Sequence, residues 1–174
     1  MAQNVEIKAK LNSLEASLNK VKSICDAPPE LMHQTDTFFH CKSGRLKLRE
    51  FGDGHGLLIA YHRSNSTEPT ASDYQTTSIT HPGDLKEILA ATLKIQGVVR
   101  KTRQLYKTGR TRIHFDEVEG LGNFLELEVV MSTGESIDSG SNEANELMQT
   151  LGIQSADLIS VAYIDLLLNK TPDT

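Results

Sequence analysis

Four short stretches of this chain put several charges on one face and apolar residues on the other. In residues 5–11 the charged face carries Glu6, Lys8 and Lys10, and in residues 45–49 it carries Arg45, Lys47 and Arg49. Residues 112–116 add Arg112, His114 and Asp116, and residues 124–130 add Glu126 and Glu128. Such alternation marks a strand, where residues i and i+2 share a face. A one-sided sheet wetted by solvent gives the same pattern. Here, however, bases dominate three stretches and acids the fourth, whereas like charges directly opposite each other destabilise a sheet. If helices cover the apolar faces, the charged faces must point into a lumen. Clustered Lys and Arg there need an anion, and clustered carboxylates need a cation. A polyphosphate with a divalent metal meets both needs. Glu6, Asp116, Glu126 and Glu128 are hard oxygen donors suited to magnesium or manganese (Mg2+ or Mn2+).

Other chemistries lack their residues. The chain has no G-x-x-x-x-G-K-[ST] phosphate loop, and Gly54-His55-Gly56 is a hairpin loop rather than a dinucleotide fingerprint. No serine or cysteine sits in a nucleophile elbow. His40 beside Cys41 has neither the spacing nor the second pair of a zinc site. Trp is absent and aromatics make up 5%, which argues against a stacking platform for nucleic acid. No apolar run approaches the roughly 18–20 residues of a membrane span, and the first residues form no secretory h-region. Two cysteines, Cys25 and Cys41, make no disulfide framework, which suits a reducing cytosol. With 174 residues, 38% of them hydrophobic, the chain is expected to form one domain over residues 1–174 with its own core. The net charge of −5 hides an asymmetry: residues 94–112 hold seven bases and no acid, and residues 113–169 hold eleven acids and no Lys or Arg.

The elements that must position these residues follow from periodicity. Strands are expected over residues 5–11, 34–39, 45–49, 57–63, 74–79, 98–106, 110–118 and 124–130. Leu11, Leu14, Leu18 and Val21 recur at helical spacing behind a capping box read from Asn12 to Glu15. Pro82-Gly83-Asp84 opens a second helix. After a loop over residues 136–140, residues 142–151 predict a third helix ended by Gly152, and residues 155–168 a fourth. Gly44 supplies the positive φ of a tight turn, and residues 64–71 read as a loop. The order β-α-β-β-β-β-α-β-β-β-α-α implies an α+β fold, a largely antiparallel sheet or barrel with helices outside.

Taken in order, these stretches resemble a known family. Glu6-Ile7-Lys8-Ala9-Lys10 is similar to the E-x-E-x-K strand that opens CYTH-domain proteins, the triphosphate tunnel metalloenzymes. Gly44-Arg45-Leu46-Lys47-Leu48-Arg49 resembles their second basic motif, and Tyr61-His62-Arg63 a Tyr-x-Arg strand. Ser72-Asp73-Tyr74, Lys101-Thr102-Arg103 and residues 111–116 follow in family order. Residues 116–128 resemble the subgroup related to class IV adenylyl cyclases, and Ala162-Tyr163-Ile164-Asp165 ends the match. The resemblance implies an antiparallel eight-stranded closed β-barrel, the triphosphate tunnel, with helices packed outside. It implies phosphate ligands at Lys8, Lys10, Lys47, Arg49, Arg63, Lys101, Arg103 and Arg112, with Lys8, Arg49 and Arg112 acting in catalysis. The metal ligands it implies are Glu6, Asp116 and Glu126, with Glu128 as an additional or supporting one. The chain departs from the motif at Asn4, where the first Glu is missing, and at Thr70-Ala71, where a base is expected before Ser72. Asn4 should nevertheless share the charged face with Glu6 and Lys8.

The resemblance implies a metal-dependent phosphohydrolase of tripolyphosphate, thiamine triphosphate or a nucleoside triphosphate. The alternatives are a lyase of the adenylyl cyclase type, converting ATP to cyclic AMP and pyrophosphate, and a non-catalytic polyanion-binding module. The expected partner is a triphosphate-containing small molecule, not nucleic acid or membrane. A cytoplasmic monomer or homodimer is expected.

Overall fold

Strands with one charged and one apolar face can enclose the charged face by closing on themselves. The computed structural model, which describes residues 2–25, 27–63 and 65–170, shows that closure. The strands are β1 (Ala2–Lys10), β2 (Glu30–Phe39), β3 (Arg45–Phe51), β4 (Gly56–Arg63), β5 (Thr70–Ile79), β6 (Ile95–Thr108), β7 (Thr111–Val118) and β8 (Gly122–Val130). They form a closed barrel in the order β1-β5-β4-β3-β2-β6-β7-β8, and every neighbouring pair is antiparallel. Closure leaves no unpaired sheet edge. The helices are α1 (Leu14–Ile24), α2 (Pro82–Leu93), α3 (Ile137–Leu151) and α4 (Tyr163–Leu168). The expected α+β barrel with outer helices is therefore the fold.

Two apolar cores hold it. Outside the barrel, Val5, Ile7 and Ala9 of β1 join Ile113 and Phe115 of β7 and Leu125, Leu127 and Val129 of β8. Val21 of α1 and Ala144 and Leu151 of α3 cover them. At one end inside the barrel, Phe38, Val99, Val118 and Phe124 meet Tyr163 and Ile164 of α4. Each of those four lies two residues along its strand from a polar position (Asp36, Lys101, Asp116 and Glu126), so it shares the inward face. The lumen thus turns apolar at one end, and α4 seals it. Gly97 makes room for this seal, because a Cβ there would lie 2.5 Å from Ile164 Cδ1.

Several boundaries differ from the periodicity. Ser13, not Asn12, caps α1 and accepts from the Ala16 amide at 3.4 Å, while Asn12 donates to Asp157. α3 starts at Ile137 with Ser136 as cap, so the supposed loop is its first turn. Residues 155–168 are not one helix. A single 3-10 turn (Ser155–Asp157) and α4 start separately, because Asp157 accepts from the Gln154 amide and Asp165 from the Ala162 amide. Between them Ile159 donates to the Lys8 carbonyl, so the segment runs along β1. β5 begins at Thr70, and Gly44 has the expected positive φ of 66°. Ser64 of the expected 64–71 loop, and Met1 and residues 171–174 of the expected domain, lie outside the described residues.

Candidate active site

A barrel that turns its charged faces inward concentrates them, and here all eight strands contribute to one cavity of about 310 Å³. Among the described residues eight bases line it: Lys8, Arg45, Lys47, Arg49, Arg63, Lys101, Arg103 and Arg112. Four carboxylates line it with them: Glu6, Asp36, Glu126 and Glu128. Seven of the eight residues expected to bind phosphate are thus brought together. Lys10 is not. β1 ends at Lys10, opposite Phe124, where the side chain is exposed and outside the cavity lining.

Most of the basic groups are aimed by an acid on an adjacent strand; Arg63 instead pairs with Glu6 across β5, and Arg45 with Asp165 of α4. Asp36 accepts from Arg49 Nε at 2.7 Å, from Arg49 Nη2 at 2.8 Å and from Lys47 Nζ at 2.9 Å. Burial pushes the Asp36 carboxyl up, but Arg49 and Lys47 outweigh it and hold the group well below the usual carboxylate range. Asp116 does the same for Arg103, accepting from Nε and Nη2 at 2.6 Å each, with Lys101 at 3.4 Å. Its second oxygen also accepts from the Tyr163 hydroxyl at 3.0 Å. Asp116 therefore lies behind the cavity surface with its oxygens engaged, rather than open to an ion as expected. Burial and the Arg103 charge push the Lys101 ammonium down to about 7. Burial likewise lowers Lys8 and Lys47.

The remaining acids share another part of the wall. Glu6 accepts from Arg63 Nη1 at 3.0 Å, yet Arg63 Nε and Nη2 are buried without a hydrogen-bond partner. Glu126 accepts from Arg103 Nη2 at 2.9 Å and lies 4.0 Å from Lys8. Glu128 accepts from Asn4 Nδ2 at 2.5 Å, with Arg112 at 3.4 Å. Asn4 is buried and faces the lumen, as its register predicts. Burial, Glu126 and Glu128 push the Glu6 carboxyl up to about 7 against the pull of Arg63. His114 stands 3.7 Å from Glu126 and 3.8 Å from Glu128, beyond hydrogen-bond range. Burial and Arg103 lower its pKa, which favours the neutral ring.

Glu6, Glu126, Glu128 and the free amide oxygen of Asn4 fit a hard divalent cation by donor type. Among the described residues no three His, Cys, Asp or Glu groups converge tightly enough to enclose an ion, because each acid leans toward a base.

Asp36 and Tyr163 escaped the sequence reading as site residues, and Arg45 was read there on the charged strand face but not among the ligands. Asp36 alternates with Gln34 and Phe38 on β2, a period-2 signal that marks its inward face. Tyr163 sits under Lys8, 4.2 Å from Nζ to the ring centroid. Arg45 turns toward α4 and forms a two-bond ion pair with Asp165, at 3.0 and 2.8 Å.

Known proteins share this architecture. A candidate adenylate cyclase of Methanocaldococcus jannaschii is 37% identical over 68 residues, an alignment covering 39% of each chain. A Pyrococcus horikoshii protein has a similar solved structure (TM-score 0.82, 24% identity, 94% of this chain and 98% of that one). A Hippeastrum candidate adenylyl cyclase, described as having a dominant triphosphatase activity, matches with TM-score 0.66 and 14% identity over 99% of this chain and 98% of that one. At such identities these structural likenesses carry the fold alone. The CYTH domain profile matches residues 2–163, nearly the whole length, and with that match the chain belongs to the CYTH domain family.

Proposed function

We propose that this protein is a divalent-metal-dependent enzyme that hydrolyses the terminal phosphate of a triphosphate held in the barrel. The observation that carries this reading is one lumen lined by eight bases, against six carboxylates once Asp116 and Asp165 behind its surface are counted with the four that line it, with two donors of Arg63 buried and unpartnered. Unpaired buried charge is costly, and a polyanion supplies the missing acceptors. Lys8, Lys47, Arg49, Arg63, Lys101, Arg103 and Arg112 would grip the phosphate chain. Lys8, Arg49 and Arg112 would neutralise charge growing on the equatorial oxygens of the transferred group. Asp36 and Asp116 would hold Arg49 and Arg103 in position, and Lys10 would stay outside the site. Glu6, Glu126 and Glu128, with Asn4, would hold Mg2+ or Mn2+, which when bound supplies charge stabilisation and a more acidic water.

Cyclisation of ATP is the second reading, in which the 3′-hydroxyl attacks the α-phosphorus and pyrophosphate leaves. The partial likeness to the M. jannaschii candidate cyclase favours it. One experiment separates the readings. Purified protein is incubated with ATP, thiamine triphosphate or tripolyphosphate, with magnesium or manganese, and the products are resolved. Orthophosphate is the expected product; cyclic AMP with pyrophosphate would select the cyclase. Tight tripolyphosphate binding without turnover would mark a binding module.

A further inference from the structure

Lys8 and Lys101 reach the lumen from β1 and β6, strands that are not neighbours in the barrel. Both are buried, and neither is tightly paired. Glu126 lies 4.0 Å from Lys8, beyond hydrogen-bond range, and Asp116 lies 3.4 Å from Lys101. What the two lysines share is Tyr163. Its ring centroid is 4.2 Å from Lys8 Nζ and 5.2 Å from Lys101 Nζ. Both distances fall within the roughly 6 Å over which a ring quadrupole attracts a cation, and loss of water strengthens that attraction.

The ring itself is fixed from three directions. Its hydroxyl donates to Asp116 Oδ2 at 3.0 Å, and Phe124 packs against it with centroids 4.9 Å apart. The next residue, Ile164, fills the space left by the missing side chain of Gly97. None of these contacts takes a donor from either lysine. A phenol ring also carries no net charge at neutral pH. A carboxylate in its place would cancel one of the two positive charges. An aliphatic side chain would leave the ammoniums free to close on Glu126 and Asp116. The ring stabilises both cations and keeps their N–H groups available to an anion.

We propose that Tyr163 is a positioning residue of the phosphate site, its ring holding the Lys8 and Lys101 ammoniums off Glu126 and Asp116 and toward one phosphate of the bound chain. The inference rests on the triphosphate reading above. It gives α4, which lies outside the strands, a part in binding. Its distinguishing consequence is that anion affinity depends on the aromatic face more than on the hydroxyl.

Calorimetric titration with tripolyphosphate, without metal, tests this on wild type, Tyr163→Phe and Tyr163→Leu. Tyr163→Phe keeps the ring and should bind within about threefold of wild type, since the lost hydrogen bond acts on Asp116 and not on the anion. Tyr163→Leu keeps an apolar seal without the π face, and should bind about tenfold more weakly than Tyr163→Phe, the size of a desolvated cation–π contact. In a Lys8→Met background the gap between the two variants should shrink, which a mere loosening of α4 would not produce. A second measurement needs no variant: the ring current should shift the Lys8 ε-protons upfield in the wild-type proton spectrum. Three results overturn the positioning role and leave the triphosphate reading standing. They are equal affinities in Tyr163→Phe and Tyr163→Leu, a gap that Lys8→Met leaves unchanged, and unshifted Lys8 ε-protons in wild type. If wild type binds no tripolyphosphate, the triphosphate reading fails and this role fails with it.

Discussion

Asn4 occupies the position where the family motif carries a carboxylate, and its surroundings show what the change does. The side chain is 1% exposed and donates to Glu128, so a position near the chain start is nonetheless built into the lumen. An amide can coordinate a hard cation but brings no charge to offset it. Asn4→Glu would set two carboxylates face to face, an arrangement that only a cation relieves. Half-maximal activity should then need less manganese than in wild type; superimposable titrations of turnover against manganese would remove Asn4 from the site. The roles of acid and base separate in the same way. Glu126→Gln should abolish metal-dependent turnover while tripolyphosphate binds as well or better, because Lys8 and Arg103 lose a competing acceptor. Arg49→Ala should weaken tripolyphosphate binding by about 1.5–3 kcal/mol, the range of a charge-assisted hydrogen bond. Equal losses of affinity in both variants, with unchanged metal dependence, would contradict this division.

Among the elements, α4 is short and yet closes the barrel. Six residues cannot hold a helix by themselves, so its position depends on contacts at its first turn. Asp165 supplies two of them: the ion pair with Arg45 and the cap on the Ala162 amide. The pair is partly exposed, with 24% and 22% of the two side chains accessible, so its worth is discounted toward that of a surface bridge. Asp165→Ala should cost about 1 kcal/mol with the lost cap included. The loss should appear as faster amide exchange over residues 163–168 while the strands stay protected. Uniformly faster exchange would mean that α4 and the barrel open as one unit. The consequence reaches the site, because Tyr163 carries the hydroxyl that Asp116 accepts and the ring beneath Lys8.

For the molecule as a whole, the barrel confines charge that an extended chain would leave in water. Lys101 drops to about 7 from an ordinary 10.5. Between those values the folded protein holds fewer protons than the unfolded one. This group's contribution to stability therefore rises with pH through that window and is least favourable below pH 7. A polyanion beside Lys101 raises its pKa again, and it moves Glu6, already near 7, in the same direction. Tripolyphosphate binding without metal should consequently take up protons at pH 8, and its affinity should fall as pH rises above 7. Titrations in buffers of different ionisation enthalpy measure the uptake, which Lys101→Gln should diminish. Binding that moves no protons at pH 8 would show that these groups do not meet the anion.

Local pattern reached far in this chain because period-2 alternation is written into neighbouring residues. It determined the strands, their succession along the chain, the inward set Glu6, Lys8, Lys47, Arg49, Arg112 and Glu126, and the lumenal place of Asn4. Helix limits were less legible where a side-chain cap could be read at either of two polar residues, as at Asn12 and Ser13. What lies across the barrel from what is a matter of closure, and no stretch of sequence encodes it. Tertiary structure alone set Asp36 against Arg49 and Lys47, turned Asp116 to Arg103 and Tyr163, and left Lys10 beyond the end of the lumen. It also brought Lys8 over the ring of Tyr163, because the two come from β1 and α4 and meet only when the helix seals the closed barrel.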